Sequence, residues 1–249
     1  MSVENQRNYN RVRKNIDKYL IYLIIGRTNF TAPFKGIKMI KGKDGTIIPK
    51  VVIERLPRYY RYFDWLENQR EKISSKKLGD LMGSSASQVR LDLSYFGDFG
   101  QQGYGYNVKK LKQELANILR INTERKMIIV GVGNIGRALT RYNAFGENGF
   151  KLEALFDIKP VLIGEKINGV TIYDVKGLGE YVKMHNIDIA IIAVPKEVAN
   201  EVAKTLIENG IKGILNFAPL DLDVDPTFPV ENIHIIDKAL ALSFMISTG

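Results

Sequence analysis

Three glycines, Gly131, Gly133 and Gly136, stand in the G-x-G-x-x-G spacing and are the residues of this chain best suited to do chemistry. They follow the apolar run 127–130 and precede a helix-compatible stretch, 137–145, which is the strand–turn–helix order a dinucleotide site requires. The first glycine permits the turn, the second lets a pyrophosphate approach the main chain, and the third lets helix pack on strand. The phosphates then rest on unpaired N–H groups at the helix start, around Asn134 and Ile135. A second strand, 152–156, is closed by Asp157, 21 residues after Gly136. An acid there takes the ribose 2′-hydroxyl of NAD and repels the 2′-phosphate of NADP. The plain alternative is a βαβ unit that holds no nucleotide.

The elements that must position this turn continue as an alternation. Strands are expected at 170–173, 187–194, 213–216 and 233–236, with helices at 175–185 and 198–208. That is a doubly wound parallel sheet, whose ligands lie beyond the C-terminal strand ends. Here those ends are residues 131–136, Asp157, Ala193-Val194-Pro195 and Asn216-Phe217-Ala218-Pro219, one candidate pocket. The last helix, 238–247, is apolar nearly all round, with Leu240, Leu242, Phe244, Met245 and Ile246 among its residues. Such a helix must be buried in its own domain or against another chain, and exchange between two copies is one route to a two-fold dimer.

The front half carries a different pattern. Pro49 suits a first helical turn, and Val52, Leu56, Tyr59, Phe63 and Leu66 recur at helical spacing, with Pro57 expected to kink or divide the helix. Ser75 is expected to cap a short helix through Leu81 that Gly83 ends, and Ser85 with Gln88 has the form of a capping box. In the helix so started, Ala86, Val89, Leu93 and Phe96 face inward. Ser84, Ser87, Gln88, Leu91 and Ser94 face outward, with Arg90 at the flank. An amide, an aliphatic group and a guanidinium suit a helix in a major groove, although an ordinary surface helix of a three-helix bundle has the same projection. Residues 97–106 then hold four glycines and three aromatics, a composition for a short hairpin after the helix, as in the wing of a winged helix. An amphipathic helix through Val108, Leu111, Leu115, Ile118 and Leu119 bridges to the glycine-rich half.

Charge separates the same two halves. Lys and Arg outnumber Asp and Glu by six in residues 1–38 and again by six in 39–125, whereas residues 126–249 carry a net charge of −3. A basic front on an acidic back suggests a polyanion partner for the front alone. The absence of cysteine excludes disulfides, thiol catalysis and cysteine zinc sites and fits a reducing cytoplasm. His185 and His234 have no metal-ligand spacing, so no metal is expected, and His185 at a helix end is assigned no chemistry. Residues 1–38 are rich in Arg and Asn around one apolar run, 19–25, too short to span a bilayer and without a signal-peptide cleavage site. They read as a loosely ordered extension ahead of a natural start near Met39, with a DNA-touching basic arm as the sharper alternative. The expected organisation is an extension over 1–46, a winged-helix domain over 47–120, a nucleotide domain over 121–236 and a dimerisation helix over 237–249.

Five segments stand in fixed order: 48–61 (Ile-Pro-Lys through Arg-Leu-Pro-Arg-Tyr-Tyr-Arg), 87–93 (Ser-Gln-Val-Arg-Leu-Asp-Leu), 99–106, 130–139 and 216–219 (Asn-Phe-Ala-Pro). Together they resemble the Rex family of redox-sensing transcriptional repressors over about residues 47–249. The resemblance implies an α/β chain: an N-terminal winged-helix domain, then a Rossmann-type doubly wound parallel sheet, with a C-terminal helix exchanged in a dimer. It implies a cytoplasmic homodimer on palindromic operator DNA that NADH releases, NAD+ competing without release. By the match, Gly131, Gly133, Asn134, Ile135 and Gly136 hold the pyrophosphate and Asp157 the adenosine ribose. Ala193, Val194, Pro195, Asn216, Phe217, Ala218 and Pro219 lie near the cofactor, and Phe244 lies near the partner's nicotinamide pocket. The DNA-contacting set is Ser85, Ser87, Gln88, Arg90, Leu91 and Ser94 with Arg58, Gln101, Gln102 and Tyr104. Tyr106 couples the domains, with an acid sought near His234, where the nearest in sequence is Asp237. Two rivals are an NAD-dependent oxidoreductase, with Lys159 and Tyr173 as its candidate acid–base groups, and a coenzyme A or adenine-nucleotide binder.

Overall fold

The structure, a computed structural model, describes residues 47–101 and 104–247. The expected extension over 1–46, Gln102 and the side chain of Gln101 lie outside the described residues.

The stripe Val52, Leu56, Tyr59, Phe63 and Leu66 is 3% exposed or less, and it forms one helix, α1 (Lys50–Leu66). Pro57 does not divide it. A proline inside a helix costs roughly 3 kcal/mol, whereas each large apolar side chain fully buried returns about 1.5–3 kcal/mol, so the stripe on both sides of Pro57 outweighs the break. A two-residue strand β1 (Lys72–Ile73) leads into α2 (Ser75–Met82). The cap of α2 is Ser74 rather than Ser75, because Ser74 has the extended backbone a cap needs and its Oγ accepts from Lys77 N at 3.2 Å. Gly83 ends the helix with φ +62, as expected.

Helix α3 (Ala86–Ser94) starts at Ser85, whose Oγ accepts from Gln88 N at 3.0 Å. Only that half of the expected capping box forms, since the Gln88 side chain turns to Asp92 instead. Strands β2 (Gly100–Gln101) and β3 (Gly105–Asn107) make the hairpin, and β3 also pairs antiparallel with β1. Asn107 caps α4 (Val108–Leu119), which is tied to α1 through Lys112 with Asp64 and Glu67 at 2.8 and 2.6 Å. Four helices and a three-stranded sheet around one core make residues 47–119 a winged helix.

The second domain is built on β4 (Arg125–Val130), β5 (Phe150–Asp157), β6 (Lys166–Ile167), β7 (Val170–Asp174), β8 (Ile189–Ile192), β9 (Gly213–Asn216) and β10 (Val230–Asn232). Their order across the sheet is β10-β9-β8-β4-β5-β7-β6, all parallel except the edge pair β6–β7. Strand β4 alternates: Met127 and Ile129 enter the core on one face, Ile128 and Val130 the core on the other, so burial on both sides makes its sequence continuously apolar. The helices are α5 (Asn134–Thr140), α6 (Ala144–Glu147), α7 (Leu178–His185), α8 (Lys196–Glu208) and α9 (Ile235–Ser247).

Several expected boundaries move for physical reasons. The helix expected over 137–145 begins at Asn134, directly on the glycine turn, and breaks after Thr140, so it becomes two. The helix expected over 175–185 opens with a 3-10 turn, Val175–Gly177, started by the Asp174 carboxylate accepting from Lys176 N. The strand expected over 233–236 is wrong. The ladder ends at β10 with Ile233 N donating to Asn216 O at 2.8 Å, and Ile235 opens α9 instead. Every described residue of α9 is exposed, Phe244 by 70% and Ile246 by 72%.

Candidate nucleotide crevice and nucleic-acid interface

The chain leaves β4 toward β5 and β7 on one side, then crosses back to β8, β9 and β10 on the other. The strand order therefore reverses between β4 and β8, and the crevice of such a sheet opens at that point, beyond the strand ends. In register, Val130 stands beside Phe156 and Ile192, and Ile192 beside Asn216, so all four predicted segments meet at one end of the sheet.

The glycine turn is shaped by three different demands. Gly131 has φ +98, and a Cβ there would strike the Ala193 carbonyl. A Cβ on Gly136 would strike the Gly131 carbonyl, so a side chain at either position would break the turn. Gly133 has extended backbone and no atom within 4 Å of where its Cβ would stand. Nothing in the fold requires glycine at 133. The open space in front of the exposed residues Gly133, Asn134 and Ile135 at the start of α5 suits a diphosphate, so the residues present fit a dinucleotide.

Asp157 is 9% exposed and holds the turn: Oδ2 accepts from Val132 N at 2.7 Å and Oδ1 from Lys159 N at 2.9 Å. Each oxygen retains a lone pair, so the carboxylate both fixes the loop and stays able to accept from a ribose hydroxyl. Ala193 and Val194 are half-buried beside Gly131, and Pro195 opens α8. Asn216 braces the loop that follows β9. It is fully buried, donates to Leu220 O at 2.7 Å and Asn232 Oδ1 at 2.8 Å, and accepts from Ala218 N at 3.0 Å. That shapes the loop through half-buried Phe217, buried Ala218 and exposed Pro219. Phe244 lies on α9, whose root follows β10, three strands from β4.

The two acid–base candidates have different surroundings. Tyr173 packs in an aromatic cluster with Phe156 and Tyr181, centroids 5.8 and 5.2 Å away, while Lys159 is exposed just beyond β5. His234 pairs with Asp221 at 3.0 Å, an acid near it in space that the sequence does not single out. At the opposite end of the sheet, Asp188 accepts from Lys126 N and Lys212 Nζ at 3.0 and 2.6 Å. Burial works to raise its pKa, but the Lys212 and Lys126 hydrogen bonds and the Arg125 charge prevail and lower it.

In the winged helix, Ser85, Ser87, Arg90, Leu91 and Ser94 are exposed on the outer side of α3, and Tyr104 on the wing is 68% exposed. Arg90 is held in place by Ser75 Oγ at 3.0 Å and Ser87 Oγ at 3.1 Å. Lys72 lies over the Tyr104 ring at 5.4 Å. Arg58 donates to the Met82 carbonyl and so caps the end of α2, leaving it an anchor at the rim. A cleft of about 660 Å³ separates α3 from the wing, with Arg90, Ser94, Asp98, Phe99 and Tyr106 among its lining. Tyr106 is buried over Gly100, and burial raises its pKa against the opposing charge of Arg90.

A cluster that the sequence reading missed seats α3 on α1. The fully buried Asp92 accepts from Arg55 Nε and Nη2 at 2.6 and 2.7 Å, from Tyr59 hydroxyl at 2.9 Å and from Gln88 Nε2 at 2.7 Å. The Asp92 hydrogen bond raises the Arg55 pKa against desolvation, and burial together with Asp92 raises that of Tyr59. The available signal was an acid beside Leu93 on the inner side of α3, facing a helix with an Arg and a Tyr on its own inner side.

A winged helix followed by a switch-point nucleotide crevice defines a DNA-binding regulator of the ligand-responsive class. Known proteins agree. The family model described as "Putative DNA-binding protein N-terminus" matches residues 47–94, and that for a CoA binding domain matches 122–220. A redox-sensing transcriptional repressor Rex of Clostridium botulinum is 49% identical over 201 residues, covering 80% of this chain and 96% of that protein. Its counterpart from Clostridium perfringens is 47% identical, covering 80% and 95%. The crystal structure of RSP in complex with β-NAD+ and operator DNA is 43% identical, with a TM-score of 0.77 over 82% of this chain and 94% of that one. RSP in complex with β-NADH is 40% identical, with a TM-score of 0.75 over 82% and 96%. The chain belongs to the Rex family of redox-sensing transcriptional repressors. These relatives are repressors, not enzymes.

Proposed function

We propose that this chain represses transcription as a cytoplasmic homodimer. Its winged helices grip a palindromic operator, and NADH in the crevice releases them while NAD+ competes without release. The observation that carries the reading is Gly133: a glycine the fold does not need, facing open space at the switch point, in a chain whose other domain carries a recognition helix and wing. The relatives bound to operator DNA with β-NAD+, and to β-NADH, support the pairing of the two ligands. In this reading residues 131–136 hold the diphosphate through main-chain N–H groups, and Asp157 takes the adenosine ribose. Residues 193–195 and 217–219 wall the nicotinamide side. The outer side of α3, with Tyr104 and the wing glutamines Gln101 and Gln102, meets DNA. Helix α9 crosses to a second copy, which brings Phe244 to the partner's crevice, and Tyr106 passes the change of dimer arrangement to the wing. Among the described residues no helix is long and apolar enough to cross a membrane and no acid or histidine cluster could hold a metal ion.

A ligand moves DNA affinity only by binding two dimer arrangements differently, and a coupling of about 1–3 kcal/mol gives roughly 5–150-fold. The test is operator binding by mobility shift, titrated with NADH at several fixed NAD+ levels. Release by NADH, shifted to higher concentration by NAD+, supports the sensor, and operator binding unmoved by saturating NADH refutes it. The match of residues 122–220 to a CoA binding domain favours coenzyme A as the second reading. Competition of NADH, NAD+, NADPH and coenzyme A against one fluorescent nucleotide separates the two.

A further inference from the structure

Gln88 stands at the outer edge of α3, half-buried, with its side-chain amide on the buried Asp92 carboxylate at 2.7 Å. An ionised carboxylate only accepts, so the amide nitrogen must face inward and the amide cannot be flipped. Asp92 is itself immobilised by Arg55 and Tyr59 from α1. The amide keeps a second N–H beside its Oε1, and when Asp92 takes the hydrogen anti to that oxygen the two form a donor–acceptor fork. Among the base edges of the major groove only adenine shows an acceptor beside a donor, N7 beside the N6 amino group. Guanine shows two acceptors, cytosine a donor, thymine an acceptor and a methyl.

We propose that Asp92 is a positioning residue for base reading: it presents Gln88 in one orientation as an adenine fork, so that the operator requires adenine at one position of each half-site. The inference rests on α3 being the DNA-reading helix. A Gln and an Asp four residues apart also staple a helix turn, worth about 0.2–0.5 kcal/mol, and a role limited to that would not change which base is preferred.

The experiment is mobility shift of the full chain on operator duplexes in which each adenine under α3 is replaced in turn by 7-deazaadenine, which lacks N7. The wild type is expected to lose about 5- to 150-fold at one position per half-site. Gln88→Ala is expected to lose that sensitivity while binding unrelated duplex as the wild type does. Asp92→Asn, which allows the amide to flip, is expected to lose sensitivity at the same position and keep its NADH affinity. Operator binding with no N7-dependent position overturns the proposal, as does a folded Asp92→Asn chain with undiminished discrimination. Should Asp92→Asn not fold, the wild-type Gln88 amide protons, assigned by their disappearance in Gln88→Ala, give the answer by ¹⁵N NMR. One proton protected from water exchange supports the clamp, and two exchanging as in a free glutamine overturn it. A wild-type chain that grips no duplex sinks the repressor reading and this one with it, whereas a gripped duplex without an adenine requirement sinks this one alone.

Discussion

The three glycines of the turn look equivalent in the sequence and are not. Gly131 and Gly136 are held by carbonyls that leave no room for a Cβ, while Gly133 faces empty space. Gly133→Ala is therefore expected to melt with the wild type and bind NADH at least roughly tenfold more weakly, a loss of about 1.4 kcal/mol. Gly136→Ala is expected to lower the melting temperature itself. Calorimetric titration beside a thermal melt separates the two effects. A second single-residue prediction concerns acid. The folded pKa of Asp188 is lowered, so its ionised form favours the fold, fully at neutral pH and less as pH falls through the folded value. Asp188→Asn is expected to cost stability at pH 7 and to flatten the decline on acidification. Because Lys212 is largely solvated, the change should stay near ~1 kcal/mol, read from melts between neutral pH and the acid range.

At the scale of elements the two halves are expected to divide the labour. Arg90→Ala, which empties the outer flank of α3, is expected to weaken operator binding and leave NADH affinity intact. Asp157→Ala, which frees Val132 N and the turn, is expected to do the reverse, and the pair is checked by mobility shift and NADH titration on the same preparations. What the sequence made legible here was local. The spacing of Gly131 to Gly136, the strand closed by Asp157 and the inward stripe of α1 are all contained within one turn or one periodicity. What it hid was pairing between elements. Asp92 meets Arg55 across 37 residues and Tyr59 across 33, and periodicity tells which side of a helix faces inward but not what waits there. The brace role of Asn216 was hidden likewise, since it depends on Asn232 one strand away. Pro57 misled because a local penalty was weighed without the burial around it. Residues 233–236 misled because apolar side chains at a strand's end and at the root of an exposed helix look alike.

For the whole molecule the decisive element is α9, thirteen residues with a mainly apolar surface and no buried side chain in the single chain. Removing it, with a stop codon after Asn232, is expected to give a monomer by sedimentation, weaker operator binding, and no response of the residual binding to NADH. Persistence of an NADH-responsive dimer would show that the two copies meet elsewhere. The basic front and acidic back add a further measurable property: operator affinity should fall steeply with salt, while NADH affinity changes little.

The emptiness in front of Gly133 also bears on how such a protein changes over generations. A diphosphate held by peptide groups depends on the shape of the turn, so side chains at the exposed positions Asn134 and Ile135 can be exchanged while the main chain keeps its place. New bulk at Gly133, or loss of the Asp157 carboxylate that fixes the turn, removes the hold. Such a hold leaves the rest of the crevice wall open to change without loss of the diphosphate.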